Sequence, residues 1–491
     1  MKREDAPLLE ALLTHSSNYE TGFHVPGHRS GRGLQPEAHI FQDIMKIDLT
    51  ELTGLDDLHD PEGPILQAQQ LAAQCFGAEA TFFLVNGSTV GNLAAVLTLC
   101  SSDDIVIVQR NVHKSILHGL MLAGARAVFV QPLCDEASGL PAGVRLHDVE
   151  TALQQYPEAT GVIVTNPNYY GMGIDLTKLA DLVHAYGKPL VVDEAHGAHY
   201  GFHPDLPQSA LAGGADVVIQ STHKMLTALT MGAMLHVQGP RVDRELLKQR
   251  LAMLQSSSPS YPIMASLDAS RRLLHTEGTG WISRSLQELE RLELAIRRWP
   301  WYRTIQGSPS AAYESKDPFK VTVSDVTGTL DGFMLRRQLE GRGLMCEMAD
   351  PRHVLLVFSL SVQKSEIDAL LAGLGQIAAD FDLADKLNSS KGAHLPADSA
   401  ETYETGTGVS EPVPFRMSKP GHLSAVLVSE ASGFVSGEMV IPYPPGIPIL
   451  YPGERITEQS VRALAELASK GAKFQGAADP KLRTIQIVNI R

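Results

Sequence analysis

The 491-residue sequence has few of the features that mark secreted, membrane-embedded or cysteine-rich proteins. Its four cysteines, Cys75, Cys100, Cys134 and Cys346, are widely spaced and form no CxxC pair. From this spacing we expect neither a disulfide framework nor a cysteine-rich zinc site. No stretch approaches about 18 consecutive apolar residues, and the N-terminus leads into no apolar signal core. We therefore predict a cytoplasmic protein with reduced thiols and no membrane partner.

Positive charge is also scarce, because 41 lysines and arginines face 55 aspartates and glutamates, for a net charge of −14. A net negative chain is a poor ligand for nucleic acid or for anionic membranes, so we predict neither as a partner. Hydrophobic residues make up 44% of the chain and charged residues 20%, which is ordinary for a soluble protein with a large core.

Between residues 80 and 239, short apolar runs rich in β-branched residues alternate with amphipathic stretches. Strands that alternate with helical patterns are typical of a parallel sheet covered on both faces. We therefore predict an α/β fold with a mostly parallel, seven-stranded sheet. The predicted strands are 81–85, 105–108, 127–130, 162–165, 190–192, 217–220 and 233–237.

Composition suggests several domains. Residues 388–414 are rich in Ser, Gly, Thr, Glu and Pro and poor in aliphatics, which is typical of a linker. A long helical pattern over 265–298 contains two glycines, at which we expect an interruption. The predicted domains are an N-terminal segment (1–60), a large domain (61–300), a small α+β domain (301–385), a linker (386–414) and a C-terminal α+β domain (415–491).

Two polar motifs directly follow predicted strands: Asp-Glu-Ala-His at 193–196 and Ser-Thr-His-Lys at 221–224. In open α/β sheets, ligands bind at the carboxyl ends of strands, so we expect these side chains to share one site. A lysine and a carboxylate there suit pyridoxal phosphate, whose aldehyde forms a Schiff base with a lysine and whose pyridinium nitrogen pairs with a carboxylate. We predict Lys224 and Asp193 for these roles.

Two other interpretations of the first motif are weaker. Asp-Glu-Ala-His is also a helicase box, but helicases need a phosphate loop of the form GxxxxGK[ST], which the sequence lacks. His196 and His199, with Asp193 and Glu194, could instead be metal ligands, although their spacing matches no common zinc pattern.

A phosphate site is predicted at Asn86-Gly87-Ser88-Thr89, between a predicted strand and a predicted helix. Helix N-termini leave N–H groups unpaired and attract anions. The alternative is a simple Ser or Thr helix cap. His113 follows another strand end and could stack on a cofactor ring, or could be a solvent-facing loop residue.

Together with further strings, these motifs resemble the bacterial Orn/Lys/Arg decarboxylases over nearly the whole chain. This family belongs to the fold-type-I group of pyridoxal phosphate enzymes. The further strings are Phe-His-Val-Pro-Gly-His (23–28), Asp-Leu-Thr-Glu-Leu (48–52), Asn-Pro (166–167) and Pro-Tyr-Pro-Pro-Gly (442–446). The chain looks like a short form of the family without a receiver-like domain before residue 23.

The resemblance assigns most of the site. It implies that Lys224 forms the Schiff base, that Asp193 pairs with the pyridinium nitrogen, and that Lys224 or His223 returns the proton to Cα. The residues that it implies for cofactor binding are Ser88, Thr89, Ser221 and His223 at the phosphate, Ala195 and His113 on the two ring faces, and His196 nearby. It further implies a homodimer in which the 256–258 loop, with Ser257 as our choice, reaches the neighbour's phosphate. Thr230-Met231 departs from the Thr-Gln that many members have.

The substrate implied by the resemblance is a basic L-amino acid: arginine, lysine or ornithine. Its cationic end needs a carboxylate, for which we predict Glu454 in Pro-Gly-Glu (452–454). The expected reaction is decarboxylation to the amine, which feeds polyamine synthesis or consumes protons. The alternatives are an aminotransferase or aldolase on the same fold, since fold does not fix the reaction, or a catalytically silent cofactor-binding partner.

Overall fold

The structure, a computed structural model, describes residues 1–18, 22–305, 312–389, 408–416, 423–443, 446–469 and 471–488. The chain divides into two compact units. The first comprises residues 1–101, 160–164 and 176–280, and the second comprises residues 102–159, 165–175 and 281–491. No helix in the described ranges is both long and apolar enough to cross a membrane.

The described residues form fourteen α-helices. In chain order these are α1 (Pro7–Asn18), α2 (Gln42–Met45), α3 (Pro64–Phe76), α4 (Gly87–Leu99), α5 (Lys114–Ala123), α6 (Leu146–Gln155), α7 (Leu176–Ala185), α8 (Thr222–Met225), α9 (Arg244–Leu254), α10 (Tyr261–Arg297), α11 (Gly332–Glu340), α12 (Lys364–Asp380), α13 (Leu383–Ser389) and α14 (Glu458–Ser469).

The same residues form twenty β-strands. These are β1 (Ala80–Leu84), β2 (Ile105–Gln109), β3 (Arg126–Val130), β4 (Pro132–Cys134), β5 (Pro141–Val144), β6 (Val162–Thr165), β7 (Met172–Gly173), β8 (Leu190–Asp193), β9 (Val217–Gln220), β10 (Ala233–Val237), β11 (Tyr302–Thr304), β12 (Ser315–Lys316), β13 (Lys320–Asp325), β14 (Met348–Ala349), β15 (Val354–Val357), β16 (Val413–Pro414), β17 (Leu423–Leu427), β18 (Ile441–Tyr443), β19 (Lys473–Gln475) and β20 (Thr484–Val488).

All seven predicted strands are present, and the predicted α/β class is confirmed. In the first unit the strands lie in the order β1-β10-β9-β8-β6. β8 and β9 are parallel, and every one of their residues is buried, as expected for strands covered on both faces. β10, however, runs antiparallel to both β9 and β1. The connection from β9 to β10 contains only the single-turn helix α8, which is too short a crossover to return the chain in parallel.

Helix α4 packs very closely against the sheet. A methyl group added at Gly91 would lie 2.8 Å from both Ile219 Cγ2 and Leu84 Cδ1. Gly87, the first residue of α4, has a φ of +74°, which a residue without a side chain adopts without strain. These two glycines therefore set the position of the α4 N-terminus over β9 and β1.

The N-terminal helix α1 is pinned to α10 by a buried ion pair. Asp268 and Arg271 have fully buried side chains 2.8 Å apart. Asp268 Oδ2 accepts from the backbone N–H of Leu8 at 3.0 Å, and the Arg271 guanidinium donates to the carbonyl of Arg3 at 2.7 Å. The predicted interruption of the long helix was wrong, because α10 continues through Gly278 and Gly280. A glycine costs about 1 kcal/mol in a helix, which is small beside the packing of so long an element.

In the second unit, the strand order β2-β3-β16 contains one parallel pair, β2 with β3, and one antiparallel pair, β16 with β3. A separate four-stranded antiparallel sheet has the order β11-β13-β15-β14. The last strand of this sheet, β14, is only two residues long, Met348 and Ala349. Trp299 and Trp301 lie between the end of α10 and the start of β11, and their rings stack with centroids 6.5 Å apart.

The C-terminal residues of the second unit have a hydrophobic core of their own. It includes Val440, Leu450, Ile456, Leu464 and Ile485, all nearly or fully inaccessible to solvent. Helix α14 and strand β20 contribute Leu464 and Ile485 to this core, which fits the α+β character predicted for residues 415–491. The middle of the Pro-Tyr-Pro-Pro-Gly string, and most of the predicted linker, lie outside the described residues.

Candidate active site

Asp193 is the last residue of β8 and is 3% exposed. Its Oδ2 accepts from Asn92 Nδ2 at 2.8 Å, and its Oδ1 accepts from the backbone N–H of Ala195 at 3.1 Å. Burial raises the pKa of Asp193, while the charge of Lys224 and these two donors act in the opposite direction. The carboxylate is therefore fixed in orientation and electrostatically coupled to Lys224.

Lys224 lies in the single-turn helix α8, just beyond the end of β9. Its Nζ is 3.0 Å from Nε2 of His196, which follows β8. Because β8 and β9 are parallel neighbours, the two sequence motifs meet at the same edge of the sheet. The structure thus brings Asp193, His196 and Lys224 together, as the strand-end argument predicted.

Hydroxyl groups meet at the N-terminus of α4. Ser221 is fully buried, and its Oγ donates to Oγ of Ser88 at 2.7 Å. Ser88 belongs to the first turn of α4, where backbone N–H groups have no helical partner. Thr89, on the same turn, is exposed. This arrangement of hydroxyls and helix N–H groups suits an anion such as a phosphate.

His223 is half-buried beside the lysine. Its Nδ1 is 3.0 Å from the carbonyl of Gly232, so Nδ1 carries the hydrogen and Nε2 is left as an acceptor in the neutral ring. Burial lowers the pKa of His223, and the charge of Lys224 lowers it further. The neutral imidazole is therefore favoured. Ala195, buried beside Asp193, presents only a methyl group.

The loop predicted to serve a neighbouring subunit is exposed at Ser256, Ser257 and Ser258. The carbonyl oxygen of Ser256 is 2.8 Å from Nε2 of His59 in the N-terminal segment. The loop backbone is thus anchored in its own protomer, while the side chain of Ser257 faces solvent.

His113 belongs to the second unit, where it caps helix α5. Its Nδ1 accepts from the backbone N–H of Ser115 at 3.2 Å and lies 2.8 Å from Oγ of the same residue. The cap fixes the orientation of the ring. The predicted stacking role stays a prediction.

Glu454, also in the second unit, is in an ion pair with Arg110. Arg110 Nη2 lies 3.0 and 3.1 Å from the two carboxylate oxygens, and the guanidinium also donates to the carbonyls of Pro448 and Ile449. The guanidinium carbon lies 4.6 Å from the centre of the Tyr451 ring and 5.5 Å from that of Phe129. Burial raises the pKa of Glu454, and Arg110 counteracts the effect. The predicted contact between Glu454 and substrate stays a prediction.

Sequence reasoning missed Asn92 and Arg110. Asn92 follows Ser88 by four residues, so the two share one face of α4, and this spacing was a usable signal. Arg110 immediately follows the buried strand β2, so it also lies at a strand end. No local pattern in the sequence connects it to Glu454, which is 344 residues away.

Comparison with known proteins identifies the class to which this fold and site belong. The structure superposes on the lysine decarboxylase LdcF of Francisella novicida with a TM-score of 0.81, at 22% identity and over 99% of this chain and 81% of that one. The family model for the Orn/Lys/Arg decarboxylase major domain matches residues 6–322, and the model for the C-terminal domain of that family matches residues 415–478. The chain belongs to the Orn/Lys/Arg decarboxylase family.

Two full-length relatives are from Bacillus subtilis strain 168. The uncharacterized protein YaaO is 40% identical over 480 residues, which cover 96% of this chain and 96% of YaaO. An arginine decarboxylase is 34% identical over 505 residues, which cover 99% of each chain.

Proposed function

We propose that this protein is a pyridoxal phosphate-dependent decarboxylase that converts a basic L-amino acid and a proton to the corresponding amine and carbon dioxide. The observation that carries the proposal is the meeting of Asp193 and Lys224 at the ends of two parallel strands, in a chain of the Orn/Lys/Arg decarboxylase family. The arginine decarboxylases among its relatives support a substrate with a cationic side chain.

The donor set fits this cofactor. Lys224 supplies an amine for the aldehyde, and Asp193 supplies a buried carboxylate for the pyridinium nitrogen. Ser88 and Ser221 supply hydroxyls for the phosphate, together with Thr89 and the N–H groups at the start of α4. The methyl group of Ala195 offers an apolar contact for the ring, and His196 stays within reach of Lys224.

When bound, the cofactor supplies an electron sink for the electron pair that remains at Cα when the carboxylate leaves as carbon dioxide. Asp193, held in place by Asn92, would keep the ring nitrogen protonated. Lys224 would hold the cofactor through its amine. Lys224 would be the group that returns a proton to Cα, because the lowered pKa of His223 keeps its ring neutral and its Nδ1–H is bound to the carbonyl of Gly232.

Glu454 is our candidate for the cationic end of the substrate. Its carboxylate already binds one guanidinium, that of Arg110, between two aromatic rings, so its surroundings suit this type of ion. We propose that a substrate cation shares the carboxylate with Arg110. Our order of preference is arginine, then lysine, then ornithine.

We further propose that the enzyme works in the cytoplasm as a homodimer or a higher homo-oligomer. The exposed side chain of Ser257 supports a role for the 256–258 loop at a neighbour's cofactor phosphate. The ring of His113 is proposed to stack on the cofactor face opposite Ala195.

The test is the release of carbon dioxide from each of a panel of amino acids by the purified protein, with pyridoxal phosphate added. Release from arginine, lysine or ornithine, and loss of release in Lys224→Ala, is the expected result. Formation of a keto acid or cleavage of a carbon–carbon side-chain bond would instead identify an aminotransferase or an aldolase. Cofactor binding without any turnover would identify a silent partner protein.

A further inference from the structure

A chain of four buried polar side chains crosses neighbouring strands of the first unit. Gln220 Nε2 donates to Glu194 Oε2 at 2.7 Å, and His236 Nε2 is 3.1 Å from Gln220 Oε1. Nδ1 of His236 is in turn 2.8 Å from Oγ1 of Thr81. None of the four residues is more than 4% exposed. This hydrogen-bonded series therefore lies in the interior and joins the residue that follows β8 to β9, β10 and β1.

The hydrogen bonds of this chain have one consistent direction. Gln220 donates through Nε2, so its Oε1 accepts from Nε2–H of His236, and Nδ1 is left to accept from the Thr81 hydroxyl. Burial lowers the pKa of His236 to about 3, which keeps the ring neutral. Every donor thus points toward Glu194, whose second oxygen accepts from the backbone N–H of Ala210 at 2.7 Å.

A carboxyl group fits position 194 because each of its two oxygens accepts a hydrogen bond, one from Gln220 and one from Ala210. An amide there accepts from Ala210 and donates to Gln220 only if every later hydrogen bond of the series reverses, which removes His236 Nδ1 as the acceptor of the Thr81 hydroxyl. Burial raises the pKa of Glu194 to about 8, and the donors Gln220 and Ala210 act in the opposite direction.

The two ends of the Glu194–Gln220 hydrogen bond adjoin the candidate active site. Glu194 follows Asp193 directly, and Gln220 directly precedes Ser221, the first residue of the Ser-Thr-His-Lys motif. The backbone N–H of Glu194 also donates to the carbonyl of Ile219 at 2.9 Å. Hydrogen bonds therefore join the ends of β8 and β9 at the point where the chain leaves the sheet beside the candidate site.

We propose that Glu194 and Gln220 are positioning residues that hold Asp193 in register with Ser221 and Lys224. They do not touch the cofactor, and the inference rests on the proposed function. It assigns to the glutamate of the Asp-Glu-Ala-His string a task distinct from that of its neighbour Asp193. It also makes Gln220, outside both motifs, part of the architecture of the site.

The experiment measures the dissociation constant of pyridoxal phosphate by titration of the apoprotein, followed in the visible absorption band, alongside the thermal midpoint of the apoprotein. Glu194→Gln should weaken cofactor binding by at least about tenfold, because a misaligned buried polar pair displaces Asp193. The exchange Glu194→Gln with Gln220→Glu should restore binding. In that variant the amide at position 194 accepts from Ala210 and donates to the carboxylate at position 220, which accepts from His236.

The matched control is Thr81→Val, which removes the far end of the same buried chain. It should lower the thermal midpoint as a lost buried hydrogen bond does, and leave the cofactor dissociation constant unchanged. Unchanged cofactor binding in Glu194→Gln, or equal loss in Thr81→Val, would overturn the inference. If Glu194→Gln yields no folded protein, Gln220→Leu takes its place with the same expected separation from Thr81→Val. A wild-type protein that binds no pyridoxal phosphate would instead overturn the proposed function.

Discussion

At the scale of single residues, the proposed covalent bond to the cofactor depends on the amine of Lys224. Its Nζ lies 3.0 Å from His196, and its charge is coupled to the buried carboxyl of Asp193. Lys224→Ala should abolish turnover because it removes the amine that we assign to the cofactor aldehyde. Borohydride reduction followed by peptide mapping should label Lys224 in the wild type and nothing in the variant.

The control for this experiment is Lys248→Ala, which removes an exposed lysine paired with Glu245. It should keep both labelling and turnover. A label on any lysine other than Lys224 in the wild-type protein would contradict the assignment.

Asp193→Asn tests the carboxylate that faces the lysine. Asparagine keeps the size and can still meet Ala195, but it cannot stabilise a protonated ring nitrogen. We expect kcat to fall by a factor of at least about one hundred, equivalent to about 3 kcal/mol of transition-state stabilisation. Steady-state kinetics with the best substrate measures the effect. Asp216→Asn, which alters another buried aspartate bound to His184 and Arg241, should lower stability and spare kcat.

At the scale of elements, the attachment of α1 to α10 depends on one buried ion pair. Asp268→Asn leaves Arg271 buried without a carboxylate, and breaking such a pair costs about 3–5 kcal/mol. The amides of Leu8 and Leu9, which donate to Asp268, should lose protection in hydrogen exchange. Exchange followed by mass spectrometry on peptides from residues 1–18 measures this loss.

Arg272→Gln is the matched control for the α1 attachment. It removes an exposed pair with Glu10 on the same two helices, and such surface pairs contribute about 0–1 kcal/mol. Equal deprotection of α1 in the two variants would show that the buried pair has no special role.

Glu454 lies in the segment after β18. Kinetic measurements can distinguish a role in substrate binding from a role in holding this segment in place. Glu454→Gln should reduce kcat/KM for the preferred basic amino acid by at least about tenfold while cofactor affinity changes little, because a desolvated charge pair with the substrate is lost. Arg110→Met removes the internal partner and should lower stability; because burial then raises the pKa of Glu454 unopposed, KM should rise at low pH and recover as the pH is raised. If both variants raise KM equally at every pH, Glu454 acts only by holding its own loop.

At the scale of the whole molecule, we expect an assembly of at least two copies. Protomers carrying Lys224→Ala, mixed with protomers in which Ser256, Ser257 and Ser258 are alanine, should form hybrids with one intact site. Random pairing would restore roughly a quarter of wild-type activity. Sedimentation of the mixture should show no active monomer, and full activity in an isolated monomer would exclude the shared site.

The sequence predicted what depends on local pattern and on strand-end geometry. The buried runs of β8 and β9 were recognisable from their apolar, β-branched residues, and the position of Asp193 and Lys224 followed from the parallel order of those strands. What it could not predict depends on long-range pairing. Asn92 meets Asp193 across 101 residues, and the antiparallel direction of β10 follows from a crossover too short for a full helix.

The chain has only three tryptophans, and all of them, Trp281 and the stacked pair Trp299 and Trp301, belong to the second unit. Lys224, to which we assign the coloured cofactor, belongs to the first unit. In Trp281→Phe, which leaves Trp299 and Trp301 beyond the end of α10, ultraviolet-excited indole emission reports on the second unit, and visible absorption reports on the first. A single heating experiment recorded at both wavelengths would show whether the two units melt as one body or in succession, without any introduced label.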